Sequence, residues 1–473
     1  MKKSNKGTRW IAVVLLGTAT VILAVLLTKN RYLEYDIKET FPNLEFRAFV
    51  MENYDTDKDG KLSKKEAESV TEMDIWLLDN SLEEGNTLKG IEVFSKLKKL
   101  TCRLSNLTEL DLSGNRELVE LDCSDNYIAK LNVSQCKSLA ILDCDHNELT
   151  SLDLGKAVNL EELNCSYNHL TTLDVKLPKL RKLDCANNEL RKMDVANYPE
   201  LLELSCGINP IATLDLRGVK PEFNFLDCMS CGLKEFYLWS DSGKDTSASP
   251  DTYLNCSDNG LTELDLSTIH TLTGLDCCYN ALTELDLSVC EKLASLRCDN
   301  NLLTKIDVSQ LPKLSYFTCD ENPLESLDVS RNTELYALYA SNAGLNELDV
   351  SACGDLRFLS CAGNNLTELR LERNPELRTL ECSANKLTEL ALEGNPCLQD
   401  LTCAGNNLTT LILTANTELR ELYCSDNSLT ELDLRNNTEL RELSCRNNKI
   451  ARIELGVELS YIDCDSDTEV ITP

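Results

Sequence analysis

The 473-residue sequence has little of the material from which enzyme active sites are usually built. Aromatic residues make up only 5% of it, and histidine, the side chain that most readily exchanges protons near neutral pH, occurs three times. His146, His169 and His270 are widely separated in the sequence. The composition therefore gives little support to acid–base catalysis.

Positive charge is also scarce. The chain has 47 Lys and Arg residues against 78 Asp and Glu residues, which gives a net charge of −31. A surface of this charge repels phosphate groups, so we predict no nucleic-acid partner and regard anionic lipid as a poor one. The first 31 residues differ, because they contain six basic residues and no acidic one.

Long apolar runs are almost lacking, and the one exception is residues 10–27, which are 18 uncharged residues. This length just spans a bilayer as a helix. Four basic residues precede the run and two follow it, which predicts a cytoplasmic N-terminus and an extracellular remainder. We therefore predict that residues 1–31 form a cytoplasmic tail and the transmembrane helix of a single-pass cell-membrane protein. The alternative is a cleaved signal peptide and a secreted chain, although the apolar core of such a peptide is usually shorter.

A pattern of 21 residues dominates the rest of the sequence. The copy LVELDCSDNYIAKLNVSQCKS, residues 118–138, is typical: positions 1, 4, 11, 14 and 16 are apolar, position 6 is cysteine and position 9 is asparagine. Eighteen copies begin between Leu97 and Leu459. The pattern L-x-x-L-x-L/C-x-x-N-x-L at this period resembles the leucine-rich repeat. That resemblance implies a solenoid over residues 97–473.

Each copy contains the half-pattern L-x-x-L-x-[CLV]-x-x-[NC] twice. Alternating apolar residues over a short stretch indicate a strand with one buried face, so each half predicts a strand of three to four residues. Two strands and two turns leave no room for a helix. We therefore predict a mostly β solenoid with short parallel strands on both sides of each coil, similar to the bacterial subclass of 21-residue leucine-rich repeats.

Twenty-three cysteines in an exported protein would ordinarily suggest disulfides. Seventeen of them lie at position 6, which alternates with the outward positions 3 and 5 and therefore faces the core. Neighbouring parallel strands lie about 4.8 Å apart, whereas a disulfide requires a Cβ separation of about 3.8 Å. We predict a ladder of free, buried thiols. Cys228 and Cys231 form a CxxC pair, but they occupy positions 6 and 9 and no second pair has metal-binding spacing, which favours a structural role.

The asparagine at position 9 has an amide that both donates and accepts hydrogen bonds, so a stack of these side chains can satisfy the turns from inside. Two internal copies depart from the pattern, with Cys231 and Ala343 at this position. We predict that the copy containing Ala340 and Ala343 is the least tightly held.

A second motif, DTDKDGKLSKKE at residues 55–66, precedes the repeats and resembles the calcium-binding loop of an EF-hand. The resemblance implies Ca²⁺ bound by the side chains of Asp55, Asp57, Asp59 and Glu66, the carbonyl of Lys61 and, through water, Ser63. An acidic turn that only mimics the motif is the alternative. We predict that residues 32–96 form a small helical, EF-hand-like cap with a structural calcium ion. The whole plan resembles bacterial cell-surface leucine-rich-repeat proteins of the internalin-like kind, and it leaves no segment for a catalytic domain.

The outward positions of the first strand change character along the chain. Positions 3 and 5 are mostly charged in copies two to six. From copy seven onward they include aromatic residues and arginine, which are the residue types enriched at binding hot spots. The candidate binding residues are Phe225, Tyr253, Arg297, Tyr316, Tyr336, Tyr339 and Phe358. An insertion at residues 239–251 lies in the same region. We predict that this face binds a protein, a peptide or a glycan; the alternatives are a calcium-stiffened spacer without a ligand and, less favoured, an enzyme.

The outward positions 13 and 15 of the second half are mostly acidic, as in Glu263, Asp265, Glu284 and Asp286. We predict that this side keeps the protein soluble. A second array of cation sites is the alternative.

Overall fold

A computed structural model of the chain describes residues 34–75, 86–241 and 251–472. The predicted anchor at residues 10–27 lies outside the described residues, as do residues 242–250 of the insertion. Within the described ranges, no helix is both long enough and apolar enough to cross a membrane.

The segment before the repeats is helical. Its helices are α1 (Ile37–Thr40), α2 (Leu44–Tyr54) and α3 (Lys64–Ser69). The side-chain oxygen of Asn43 accepts a hydrogen bond from the backbone N–H of Phe46 and so caps α2. At α3, Ser63 and Glu66 form a capping box, in which each side chain accepts from the backbone N–H of the other residue. Two short strands, β1 (Glu34–Tyr35) and β2 (Leu62–Ser63), pair antiparallel and close this segment.

The described residues form two compact units, divided between residues 190 and 191. The remaining strands of the first unit are β3 (Glu72–Asp74), β4 (Asn86–Thr87), β5 (Lys99–Thr101), β6 (Leu107–Asp111), β7 (Glu120–Asp122), β8 (Lys130–Asn132), β9 (Ile141–Asp143), β10 (Glu162–Asn164) and β11 (Lys182–Asp184). Strands β3, β5, β7, β9, β10 and β11 form one parallel ladder, and β4, β6 and β8 form a second. Since Met73 of β3 aligns with Leu100 of β5, the segment after α3 supplies the first rung of the leucine row.

The second unit repeats this arrangement. Its strands are β12 (Glu203–Ser205), β13 (Thr213–Asp215), β14 (Phe225–Asp227), β15 (Glu235–Tyr237), β16 (Thr252–Asn255), β17 (Leu272–Asp276), β18 (Ser295–Arg297), β19 (Tyr316–Thr318), β20 (Ala337–Tyr339), β21 (Phe358–Ser360), β22 (Thr379–Glu381), β23 (Asp400–Thr402), β24 (Glu421–Tyr423), β25 (Leu432–Leu434), β26 (Glu442–Ser444), β27 (Arg452–Leu455), β28 (Tyr461–Asp463) and β29 (Glu469–Ile471). The first strand of each copy pairs in parallel with the first strand of the next copy. The order is β12, β14, β16, β17, β18, β19, β20, β21, β22, β23, β24, β26 and β28. Short 3₁₀ helices occur at Ile91–Val93 and Val195–Asn197. The structure is thus the mostly β parallel solenoid that the repeat pattern predicts.

The prediction of a strand on both sides of every coil is wrong for many copies. Strands in the second half occur as β6, β8, β13, β15, β25, β27 and β29, whereas most described copies between residues 251 and 430 have none. In several of these copies the second half keeps a backbone bond to the preceding copy, such as that from the N–H of Leu302 to the carbonyl of Leu282 (2.9 Å). The apolar side chains are buried all the same. Alternating apolar residues predict which side chains are buried. They do not predict a ladder of backbone hydrogen bonds between strands, because backbone groups at the surface can bond to water instead.

The cysteine ladder is confirmed. All cysteines are free, and all are buried except Cys397 and Cys464, which are partly exposed. Burial raises the pKa of the Cys361 and Cys403 thiols to about 12, so these thiols stay protonated at physiological pH. The thiol of Cys231 donates to the carbonyl of Cys206 (3.3 Å), and this packing agrees with a structural role for the CxxC pair.

The position-9 asparagines bond to two copies at once. The amide nitrogen of Asn364 donates to the carbonyls of Ala340 (2.8 Å), Cys361 (2.9 Å) and Ala362 (3.3 Å). Its oxygen accepts from the backbone N–H groups of Ala343 (3.1 Å) and Leu345 (2.9 Å) of the preceding copy. These bonds tie each turn to its neighbour.

Ala343 offers no such side chain to the copy before it. The N–H of Leu324, which would otherwise reach an asparagine oxygen, bonds to the carbonyls of Asn322 and Ala343, both at 2.9 Å. The looser packing that we predict for this copy stays a prediction.

Candidate calcium loop and candidate binding face

The first candidate site is the loop between α2 and α3. The side chains of Asp55, Asp57 and Asp59 each place an oxygen within 4.8 Å of the others, and they are the one such group of metal-ligand residues in the described part of the chain. The loop turns through left-handed backbone at Lys58 (φ 58°) and Gly60 (φ 80°). The three carboxylates that the motif predicts as ligands are therefore gathered together.

Backbone N–H groups of the loop hold these carboxylates. Asp55 accepts from Asp59 (3.2 Å) and Gly60 (3.0 Å), and Asp59 accepts from Lys61 (2.8 Å). The N–H of Asp59 lowers the pKa of the Asp57 carboxyl, but desolvation and the nearby charges of Asp59, Glu66 and Asp55 outweigh this bond and raise the pKa. The loop is thus a concentration of negative charge that a bound cation would neutralise.

Glu66, the predicted bidentate ligand, is engaged elsewhere. Its carboxylate accepts hydrogen bonds from the N–H and hydroxyl of Thr56 (2.8 and 2.7 Å) and from the N–H and hydroxyl of Ser63 (both 2.9 Å). Burial raises the pKa of Glu66, but these bonds lower it to about 2. The Lys61 ammonium pairs with Glu34 at 2.8 Å. The aspartates therefore fit a calcium ion, whereas Glu66 would have to give up some of these bonds to ligate it.

The second candidate site is the row of outward side chains along β14–β21. Phe225 and Tyr253 stack, with ring centroids 5.7 Å apart and planes 23° from parallel. Gly274 occupies the next rung, and a Cβ atom there would lie 2.7 Å from Cδ2 of Tyr253. The Tyr253 ring therefore lies over the backbone of Gly274, and glycine is required at this rung. The following rung carries another small residue, Ser295.

Beyond these small residues lies a second cluster of rings. The centroid of Tyr316 is 6.1 Å from that of Tyr336 and 5.9 Å from that of Tyr339. Tyr316 and Tyr339 are half-buried, and Tyr336 is 40% exposed. Phe358, also half-buried, aligns with Ala337 at the neighbouring rung. Five of the six predicted aromatic residues thus form two ring clusters on one sheet, and Phe358 lies one rung beyond the second cluster.

Arg297 is committed within the protein. Its Nη1 atom lies 2.8 Å from Oδ2 of Asp276, whose side chain is 7% exposed. The guanidinium therefore compensates a buried carboxylate, and this is a different role from the free binding contact that the sequence predicts.

Two carboxylates in this region were missed by sequence reasoning. Asp299 accepts from the Thr318 hydroxyl (2.6 Å) and from the N–H of Asp320 (2.9 Å). Asp320 in turn accepts from the N–H of Ser341 (2.5 Å). Burial raises the pKa of Asp320 to about 6. The available signal was aspartate at position 7 of two consecutive copies, where Ser257, Ala362, Ser383 and Ala404 stand in others.

The acidic residues of the second half have a structural role that neither prediction anticipated. At position 15, Asp265, Asp286 and Asp328 accept hydrogen bonds from the backbone N–H two residues later, at 2.9–3.0 Å. The hydroxyl and N–H of Ser267 hold the pKa of Asp265 below its usual range. These carboxylates close the turn that follows each second half, as aspartate does in Asx turns.

Comparison with known proteins agrees with this architecture. A profile of the family described as leucine-rich repeats matches residues 158–198 and 417–460. No relative among the curated proteins matches the chain. Residues 158–198 and 417–460 are thus matched as leucine-rich repeats, and the parallel solenoid described above is the fold of proteins built from such repeats.

Within that class it is similar to the internalins of bacteria. The functional domain of InlJ from Listeria monocytogenes, which is described as including a cysteine ladder, is 29% identical at a TM-score of 0.50, over 89% of this chain and 77% of that one. YopM from Yersinia enterocolitica is 23% identical at a TM-score of 0.65, over 91% and 96%. The ectodomain of the Arabidopsis thaliana receptor kinase GASSHO1/SCHENGEN3, solved in complex with CASPARIAN STRIP INTEGRITY FACTOR 2, is 22% identical at 0.63, over 78% and 49%. The last two likenesses concern the fold alone.

Proposed function

We propose that the chain is a cell-surface binding protein, rather than an enzyme, and that it recognises another protein through an aromatic face formed by Phe225, Tyr253, Tyr316, Tyr336, Tyr339 and Phe358. The observation that carries the proposal is the presence of two ring clusters on one parallel sheet. Within each cluster the ring centroids are 5.7–6.1 Å apart. Half-buried rings on a rigid sheet bind at a low cost in conformational entropy.

The surface location rests on two separate supports. The basic residues around the apolar run at residues 10–27 favour a single-pass anchor with the repeats outside the cell. The likeness to internalin InlJ also favours an extracellular or surface protein. Protease added to intact cells should digest the repeats, and mass spectrometry of the mature N-terminus should find residues 10–27 retained. Loss of those residues would favour the secreted alternative.

A displayed library of random twelve-residue peptides tests the aromatic face. Peptides selected on the full-length chain should bind the triple variant Y316A/Y336A/Y339A at least about tenfold more weakly, since truncated hot-spot residues typically remove more than 1 kcal/mol each. The matched control is Y127A/Y167A/Y279A, which removes three tyrosines that are 49–61% exposed outside this face. Equal binding by both variants would contradict the proposal, and a selection that enriches no peptide would favour the spacer hypothesis.

We further propose that the loop at residues 55–66 binds Ca²⁺ and stiffens the segment before the repeats. The gathered carboxylates of Asp55, Asp57 and Asp59 support this proposal. Calcium should raise the melting temperature of the parent but not that of D57N/D59N, whose amides keep the acceptor oxygens for the loop N–H groups. The control E39Q/E52Q removes the same charge elsewhere in this segment and should respond like the parent. A parent that melts at the same temperature in calcium and in chelator would exclude the site.

A further inference from the structure

The aromatic face contains two carboxylates without a salt bridge, next to Tyr316 and Tyr339, among the described residues. Asp299 and Asp320 lie at position 7 of two consecutive copies, next to these rings. Both carboxylates are partly buried. The face that would contact a partner is therefore acidic as well as aromatic at this point.

Among the described residues, no salt bridge joins a cation to Asp299 or Asp320, although the Arg297 guanidinium is close enough to Asp299 for an electrostatic interaction. Asp299 accepts from the Thr318 hydroxyl (2.6 Å), the Cys278 thiol (3.2 Å) and a backbone N–H, and Asp320 accepts from a backbone N–H alone. The nearby guanidinium of Arg297 is paired with Asp276. Glu321 and Glu381 add further negative charge near Asp320. No residue in the described part of the chain donates a hydrogen bond to the other oxygen of Asp320, Oδ2.

This arrangement selects among possible occupants. An apolar or anionic partner would cover Asp320 without neutralising it, and a buried unpaired charge is strongly unfavourable. A lysine or arginine side chain would pair with the carboxylates and lie against the tyrosine rings, which attract cations through their faces. Asp299 and Asp320 do not belong to a group of described residues with metal-ligand spacing. Charge complementarity therefore favours a basic side chain.

Small residues separate the two ring clusters. Gly274 and Ser295 occupy the two rungs between Tyr253 and Tyr316, and because the Tyr253 ring lies over Gly274, the low surface between the clusters is at Ser295. Three rungs of a parallel sheet span about 14 Å, which is the length of about four extended residues. A short extended segment could therefore place an apolar side chain by Tyr253 and a basic one by Tyr316.

We propose, resting on the proposed function, that the aromatic face recognises a basic polypeptide segment whose lysine or arginine side chain binds between Tyr316 and Tyr339 against the carboxylates of Asp299 and Asp320. Such a segment supplies a salt-bridge partner, which Asp299 and Asp320 do not have among the described residues. The two ring clusters then have separate tasks, since the Tyr316 cluster selects charge and the Phe225–Tyr253 stack supplies apolar contact area.

The peptide library distinguishes this inference from the proposed function. Peptides selected on the full-length parent should contain a lysine or arginine at a common position, and acetylation of that lysine or its replacement by glutamine should weaken binding about tenfold. The variant D299N/D320N should lose the same peptides by a similar factor. The control E263Q/E284Q removes two exposed negative charges from the second half of the repeats and should keep them. If the double variant melts early, D320N replaces it, because its amide oxygen can still accept from Ser341.

Each outcome decides a different point. Peptides that are lost on Y316A/Y336A/Y339A but show no basic preference would overturn the inference and leave the proposed function intact. Equal losses on E263Q/E284Q and D299N/D320N would indicate general attraction to an acidic surface and would also overturn it. Peptides that bind the tyrosine variant as well as the parent would remove the proposed function itself.

Discussion

The first-strand ladders of the two units have the same core and different surfaces. In the first unit the outward residues are charged, and Lys99 pairs with Glu120 on the next strand. In the second unit, rings such as Tyr316 and Tyr339 occupy the corresponding positions. The inward leucines are equally buried in both ladders. Core positions therefore determine the coil, whereas outward positions are free to differ, and matched substitutions in the two units can test this separation.

The largest expected effect is at position 9, where Asn168 lies in the first unit and Asn301 in the second. Each amide nitrogen donates to three carbonyls at 3.0–3.2 Å, and each oxygen accepts a backbone N–H from the preceding copy. Asn168→Leu and Asn301→Leu should each lower the free energy of unfolding by about 3 kcal/mol or more, because several buried backbone groups lose their partners. Urea denaturation measures both losses.

Asn407→Leu is the control for these substitutions, because Asn407 is an exposed neighbour of a position-9 asparagine. It should change the free energy of unfolding by no more than about 0.5 kcal/mol. If the losses in free energy of unfolding caused by Asn168→Leu and Asn301→Leu differed by several kcal/mol, the cores of the two units would not be equivalent. The comparison drawn above would then be wrong.

Much of this core could be predicted from the sequence. The positions of Cys361 and Asn364 within their copy are enough to predict that one thiol is buried and free and that one amide bonds inside the turn. Such predictions succeed because burial and side-chain alternation follow directly from the order of residues. The aromatic positions were predictable for the same reason, since position 3 must face outward.

Features that depend on local backbone geometry could not be predicted in this way. The residue at position 8 adopts left-handed backbone even where it is Tyr167 (φ 50°) or Ile208 (φ 54°), although such side chains disfavour that conformation. The turn bonds of Asp265 and its equivalents, and the absence of a second strand in their copies, also depend on distances that no residue pattern specifies. The ion pair between Arg297 and Asp276 joins residues that are 21 positions apart. Its prediction would have required the register of the neighbouring strands.

A smaller effect concerns two partly buried carboxylates, Asp143 in the first unit and Asp320 in the second. Burial raises the pKa of each to about 6. Asp145 and Asp122 add to the shift at Asp143, as Asp299, Glu381 and Glu321 do at Asp320, and N–H bonds from Asp145 and Ser341 oppose it. Because the folded-state pKa is raised, ionisation opposes folding, so this contribution to stability is complete below about pH 4 and is lost as the pH rises through about 6.

Asp143→Asn and Asp320→Asn should therefore raise the melting temperature at pH 7.5 and leave it unchanged at pH 4, as measured by thermal denaturation. Asp265→Asn is the control of opposite sign, because hydrogen bonds lower the pKa of Asp265 and its ionised form stabilises the turn. It should lower the melting temperature at pH 7.5. A stabilisation confined to one of the two units would mean that the surfaces impose different electrostatic conditions on otherwise equal coils.

The smallest expected effect is at position 19, where cysteine in some copies and asparagine in others have one task. The thiol of Cys136 lies 3.5 and 3.7 Å from the carbonyl oxygens of Leu112 and Asn115, and the amide nitrogen of Asn416 donates to two equivalent carbonyls at 3.1 and 2.8 Å. The buried Oδ1 of Asn416 has no partner, so the position requires only a donor. Cysteine meets that requirement without leaving a buried acceptor unpaired.

The exchanges Cys136→Asn and Asn416→Cys should thus each change the free energy of unfolding by less than about 1 kcal/mol, because the weaker thiol bond and the unpaired oxygen offset each other. Leucine at either position should be more destabilising, because it leaves both carbonyls without a donor. Urea denaturation of the four variants measures the difference. A large loss in Asn416→Cys alone would show that its amide oxygen has a bonding role, and cysteine and asparagine would then not be interchangeable at position 19.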